Sequence, residues 1–339
     1  MHIEAKRAIL RQTIGITGVF SIGLIIGWPL SVIGAVFTAL FLQAPVGMTV
    51  GASARLFAFS IGLMLVSWLL SAALLPYPVA FLGMVCLGII LSFAWAVSGA
   101  GLLPGVLALM AALMIPNLTV QSPDLTLVLV FWVPVNLLIA GFTSGLMFTI
   151  IPAQPPAQAA AKGAANTAFD PTRRIVRMSL VTVPFAMIFF VSGAAAVLSL
   201  FFVALLSQQL AAAPHAGKTV AKAMLLSNGL GALVSIICYE LTVIAPHLLT
   251  PLFLCATVCL MLGSLAKSEH ALAAAAGSAL TTFLVVYGGS IAPFSDEADV
   301  KAITRVIQIA VAAGFVIVAY VVVDEFWPEK EAGEERQRA

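Results

Sequence analysis

The chain has 339 residues, 62% of them hydrophobic and 9% charged, with a net charge of +2 and a mean hydropathy of +1.12. Soluble domains carry about 25% charged and about 45–50% apolar residues, so this composition excludes a water-soluble globular domain. It predicts an all-α polytopic membrane protein.

A spanning helix needs roughly 20 mostly apolar residues. The apolar runs between Pro, Gly and charged breaks predict about twelve such helices. The first covers residues 9–27 and follows the basic opening "AKRAILRQTI" at residues 5–14. It ends in Gly27-Trp28-Pro29 without a small-residue cleavage pattern, so it is expected to stay in the mature chain. The next runs are 30–45, 55–75, 78–98, 101–116 and 125–151. Residues 151–172, "IPAQPPAQAAAKGAANTAFDPT", lack an apolar period and read as a flexible connector. Six further runs follow at 175–193, 195–210, 220–241, 246–266, 270–289 and 303–324. The runs 30–45, 101–116 and 195–210 are short enough to be re-entrant, and Pro134 and Pro184 are expected to break their spans. Cys86, Cys238, Cys255 and Cys259 all lie in apolar runs; Cys255 and Cys259 would share a helix face but have no His or carboxylate nearby, which predicts small packing residues rather than a disulfide or metal site.

Lys and Arg mark the cytoplasmic side of membrane proteins. An inside N-terminus puts Lys6, Arg7, Arg11, Arg55, Lys162, Arg173, Arg174, Arg177, Lys218, Lys222 and Lys267 in cytoplasmic segments, and leaves Lys301 and Arg305 outside. Both termini are then cytoplasmic, and "DEFWPEKEAGEERQRA" becomes a charged cytoplasmic tail.

Shifting the chain by about 166 positions lays Arg7 and Arg11 over Arg173 and Arg177, and Gln43 over Gln209. Slightly later in register Arg55 meets Lys222, "SIG" at 60–62 meets "SNG" at 227–229, and "AGF" recurs at 140–142 and 313–315. The expected organisation is a six-span repeat over 1–152, a linker over 153–172, a second six-span repeat over 173–326 and a tail over 327–339. Each copy holds an even number of spans, so the two are parallel and related by an axis along the membrane normal.

The "KRAILRQTIG" opening, the second span running into "LQAPVGMTVGASAR" and the Ser/Gly helix after it resemble the fusaric-acid-resistance and aromatic-acid-exporter superfamily of bacterial inner-membrane proteins. The resemblance implies a proton-driven exporter of aromatic or other organic acids working beside a periplasmic adaptor of the membrane-fusion type. The chain departs from larger members of that superfamily in lacking a big cytoplasmic domain between its halves.

An organic anion crossing a membrane needs cationic side chains or helix N-termini along its path. Arg55 and Lys222 fit best, each standing at a helix start after a small, flexible loop; Arg11, Arg177, Gln43 and Gln209 form a second tier. Topology alone explains cations at cytoplasmic helix ends, so that alternative stands beside the first. Glu240, with His247 beyond it, is the most membrane-embedded acid and a candidate for proton coupling, the alternative being an outer interface position. Asn136, Asn228, Ser60 and Ser227 are expected to bridge helices, and the spacings Gly23–Gly27, Gly47–Gly51 and Gly141–Gly145 to suit close helix contact.

No phosphate-binding lysine loop, zinc-protease helix or nucleophile elbow occurs in the sequence, so neither ATP-driven transport nor hydrolysis is expected, and no cofactor. No basic patch suggests nucleic acid as a partner. The readings that follow are efflux of a small organic acid, a passive anion channel, or a non-transporting scaffold that docks a periplasmic adaptor.

Overall fold

The structure, a computed structural model, describes residues 3–98, 102–153, 171–192, 217–270, 272–291 and scattered positions between 307 and 325; for residues 102, 173, 189, 191–192 and 217–225 it describes the backbone alone. Among the described residues there are ten helices and no strand: α1 (Ile3–Ile26), α2 (Ser31–Gln43), α3 (Val50–Leu74), α4 (Pro78–Val97), α5 (Leu102–Gln121), α6 (Pro123–Ile150), α7 (Pro171–Ser192), α8 (Gly217–Ile244), α9 (Leu249–Ala266) and α10 (Ala273–Ile291). Proline opens α4, α6 and α7, where its missing N–H belongs to the helix's unsatisfied first turn.

Eight of these helices, all but α2 and α7, are long and apolar enough to cross a membrane. The described chain therefore has the make-up of a multi-pass membrane protein. The 13 residues of α2 reach only about 20 Å, short of a hydrocarbon core of about 30 Å. Arg173, Arg174 and Arg177 put three charges in the first two turns of α7. The run 195–210 lies outside the described residues; in 303–324, Ile307, Val311, Phe315, Val318 and Val322 are helical at a helical spacing.

Two expectations need correction. The run 101–116 does not end at its proline, for α5 continues through Pro116 to Gln121. Pro134 and Pro184 likewise lie inside unbroken helices, α6 and α7. A helix-interior proline costs about 3 kcal/mol, but the residues around each one are held by packing. Leu113 and Ile115 are fully buried before Pro116, Val133 and Leu137 flank Pro134, and Ala186 follows Pro184.

The described chain forms two compact units. The first takes α1, α2, residues Val50–Ile61 of α3, α6 from Val128, α8 from Lys222, α9 and α10. Within it α1 pairs with α2, α1 packs along α9, α9 pairs with α10, and α10 returns to α2. Gly27 (φ +69°) and Leu30 (φ 57°) turn the chain between α1 and α2, and Leu30 carries a side chain in the left-handed region that favours glycine. Ile16, Phe20, Ala39, Cys255, Leu280, Phe283 and Tyr287 fill the centre of this ring. Phe20 and Phe283 lie nearly parallel to Tyr287, at centroid distances of 6.2 and 5.0 Å.

A polar seam joins α8 to α10. The Thr282 hydroxyl donates to Asn228 Oδ1 at 2.7 Å, Ser235 donates to the Phe283 carbonyl at 3.3 Å, and the Thr242 and Tyr287 hydroxyls meet at 2.9 Å. Asn228, Ser235 and Thr242 are seven residues apart, on one stripe of α8. The backbones come close there: a Cβ on Gly231 would lie 2.5 Å from the Ala279 carbonyl oxygen. Apolar burial gives little drive between helices in lipid, so close packing and such bonds hold them together.

The second unit takes α3 from Gly62, α4, α5, α6 up to Leu127, and α7. α4 packs on both α5 and α7, and Phe81, Val85, Ile89 and Phe93 of α4 meet Leu109 and Leu113 of α5 and Met178 and Ala186 of α7. The Cys86 thiol donates to the Met187 sulfur at 3.3 Å, and Ser67 donates to the Ala111 carbonyl at 2.6 Å. All four cysteines are free; Cys238, Cys255 and Cys259 are buried and Cys86 half-buried, in keeping with packing roles.

Candidate functional site

The candidate residues of the first half gather around one joint of the first unit, residues 44–49 between α2 and α3. α2 ends at Gln43, and Ala44 leaves the helix in extended conformation. After the joint the Thr49 hydroxyl accepts the Ala52 amide at 3.2 Å and caps the start of α3. The joint rests on α6: a Cβ on Gly47 would meet the Phe148 side chain at 2.7 Å, and one on Gly145 would meet the Met48 carbonyl oxygen at 2.7 Å. Glycine is required at both positions because the joint's backbone and α6 approach this closely.

Arg11 is 4% exposed and lies against the same end of α6. Its guanidinium stands 4.5 Å above the Phe148 ring centroid, donates to the Ile151 carbonyl at 3.1 Å and bonds Glu4 at 2.8 Å. Thus Phe148 is shared between Arg11 and Gly47. A cation at a helix C-terminus satisfies a free carbonyl and opposes the negative end of the dipole, so Arg11 fastens α1 to α6. The sequence did not single out Glu4 or Phe148; the signal for Glu4 was its place two helical turns before Arg11.

Arg55 is held differently. It is exposed, and its one hydrogen bond among the described residues runs from Nε to the Gly51 carbonyl at 3.2 Å. It lies in the second turn of α3, whose first turn holds no acidic residue. A helix N-terminus is already positive, and a cation placed there raises the local potential further. Gln43 is exposed as well, and its amide oxygen lies 3.5 Å from where a Cβ on Gly277 of α10 would sit. Arg11, Gln43 and Arg55 therefore frame the α2–α3 joint, Arg11 as a buried anchor, Gln43 with its amide beside Gly277 of α10, and Arg55 exposed.

The residues of the second half are placed less fully. Arg177 is 5% exposed on α7. Lys222 is on the helical backbone of α8 with its side chain outside the description, and Gln209 lies outside the described residues. Glu240 is exposed on α8 among the outward apolar residues Leu233, Ile237 and Leu241. His247 is in the turn after α8, also exposed; its Nδ1 accepts the Leu249 amide at 3.3 Å, and it borders a shallow groove with Thr242 and Pro251. Among the described residues no carboxylate is buried and no cluster of metal-ligating groups occurs.

Of the residues expected to bridge helices, Asn136 and Asn228 do so, whereas the Ser60 hydroxyl donates to the Phe57 carbonyl of its own helix at 3.0 Å. Asn136 is fully buried in α6, accepts Trp28 Nε1 at 2.9 Å and donates to the Pro29 carbonyl at 3.3 Å, tying the α1–α2 turn to α6. Gly141 faces Ser53 and Gly23 faces Ser31, whereas Gly27 and Gly51 face open space, so the Gly141–Gly145 spacing marks close contact at both ends and the Gly23–Gly27 and Gly47–Gly51 spacings at one end each. No family model, curated protein or solved structure matches the chain.

Proposed function

We propose that this chain is a bacterial inner-membrane efflux transporter for small organic acids, aromatic ones among them. In this reading it has twelve spans in two parallel six-span repeats, with both termini cytoplasmic. Arg55 and Lys222 contact the anion, with Gln43 and Gln209 beside them, while Arg11 and Arg177 brace the helices that carry the site. The observation that carries the reading is Arg55: an exposed guanidinium at the positive end of α3, beside an irregular joint, with a single backbone hydrogen bond. A carboxylate arriving there gains both the fork of donors and the helix terminus.

Proton coupling through Glu240 and His247 has a competitor in passive anion conduction. The exposure of both residues, and the lack of a buried carboxylate among the described residues, favour the passive route. A scaffold docking a periplasmic adaptor is the reading that remains if nothing crosses. The test is flux of an aromatic carboxylate in vesicles holding the purified protein, with and without a pH gradient. Arg55→Gln and Lys222→Gln are each expected to lower flux at limiting substrate by about tenfold or more, the effect of losing about 1.5 kcal/mol of charge-assisted binding. Unchanged flux in correctly inserted variants refutes the site, equal flux under both gradients refutes coupling, and no flux in the wild type refutes transport.

A further inference from the structure

Both units draw on both halves of the chain, and in the same pattern. The first combines α1, α2 and most of α6 with α8, α9 and α10; the second combines α4, α5 and part of α3 with α7. Under the repeat of the preceding section, on which this inference rests, α7 matches α1, α8 matches α3, α9 matches α4 and α10 matches α5. The packing then obeys the same correspondence. α1 packs on α9 as α7 packs on α4, and α9 pairs with α10 as α4 pairs with α5.

Side-chain contacts follow suit. Ser235 of α8 donates to a carbonyl of α10, and Ser67 of α3 donates to a carbonyl of α5. The α4 cysteine, Cys86, meets Met187 of α7; Cys255 of α9, within three positions of the repeat equivalent of Cys86, belongs to the cluster that includes Ile16, Val19 and Phe20 of α1. The two packings between halves, α1 on α9 and α7 on α4, recur at repeat-related positions and are not expected of two modules that each close on themselves, while the serine bonds join α3 to α5 and α8 to α10 inside each half.

We infer that the protein is a helix-exchanged pair: the first helix of each half docks on the fourth helix of the other, so that neither half contains a complete unit. The interaction surface is the α4 face around Cys86, Val85 and Ile89 and its counterpart on α9 around Cys255, Cys259 and Leu262. The partner each face accepts is the opening helix of a second copy of the same six-helix module. Exchange of identical elements is a low-cost route to a dimer, and a linker between the copies then makes the pairing intramolecular.

The full-length protein tests this with a protease site placed in residues 154–170 and Cys238, Cys255 and Cys259 replaced by Ser. In membranes, Cys86 with Met187→Cys is oxidised and the linker cut. The expected result is one full-length band without reductant and two half-length bands with it. Ser21→Cys occupies the repeat position of Met187 on α1; paired with Cys86 it should give separable halves, because that coupling needs a half closed on itself. Gly88→Cys with Ala112→Cys, in a Cys86→Ser background, checks oxidation within one half, where a Cβ on Gly88 would stand 3.1 Å from that of Ala112. Coupling of Ser21→Cys to Cys86, or failure of Met187→Cys while the Gly88 pair forms, overturns the exchange. Neither outcome alters the flux measurement, so this inference and the transport reading fail separately.

Discussion

Replacing Arg11 with Gln separates anchoring from the substrate binding proposed at the α2–α3 joint. Three contacts go: the ion pair with Glu4, the bond to the Ile151 carbonyl and the stacking on Phe148. A hydrogen bond between charged groups contributes about 1.5–3 kcal/mol, but Glu4 is 34% exposed, which brings that contact to about 1 kcal/mol. The carbonyl bond adds about 1 kcal/mol and the ring contact about 0.5–1 kcal/mol. Against these stands the cost of keeping a guanidinium 4% exposed with its Nε unbonded, about 1 kcal/mol recovered on removing it. The net expectation is a loss of about 2 kcal/mol, roughly a 30-fold change in the folded-to-unfolded ratio. Thermal unfolding of the purified protein in detergent reads this as a lowered midpoint. Arg55→Gln, at an exposed site, should stay within about 0.5 kcal/mol of wild type. An Arg11→Gln protein that melts like wild type but no longer moves substrate would refute the anchor and return Arg11 to the substrate path.

Asn136→Ala strips Trp28 Nε1 and the Pro29 carbonyl of their partner at the α1–α2 turn. Interhelical bonds in membranes are worth about 0.6–1.7 kcal/mol each, so a loss of about 1–3 kcal/mol and a red-shifted Trp28 emission are expected in the same melts. Gly231→Ala forces a methyl against the Ala279 carbonyl, and α8 must move off α10 by a few tenths of an ångström or more. That should lower the midpoint and weaken the Asn228–Thr282 and Thr242–Tyr287 bonds; an unchanged midpoint would show that the two backbones are further apart than described. At the α1–α2 turn, Leu30→Gly is expected to be neutral or stabilising and Gly27→Ala to cost about 1 kcal/mol, since both positions have positive φ. The opposite order in paired melts would refute the left-handed turn.

Much of the fold was legible because lipid imposes strict rules on sequence. A spanning segment must be long, apolar and helical, so α4, α6, α8, α9 and α10 could be read within three residues of their ends and α1 and α3 within six. Proline was misleading for the same reason it is usually informative. Its local penalty at Pro116, Pro134 and Pro184 is small beside the packing of the helices that contain it, and packing is not written in the local sequence. At the candidate site, the spacing of Arg7 and Arg11 against Arg173 and Arg177 suggested shared roles but could not say which cation was occupied. That depended on Phe148 and Ile151, about 140 residues from Arg11 in the chain.

By itself the sequence determined that this chain consists of apolar helices suited to a membrane, and where its charges lie. Hydropathy and charge are sums over neighbouring residues, and the bilayer acts on them segment by segment. Only the tertiary structure decided that Arg11 is fastened while Arg55 is exposed, and that α1 finds its partner in α9 and α4 finds its partner in α7. Those choices depend on shape and contact between segments far apart in the chain, to which helices of equal hydropathy are indifferent until they touch.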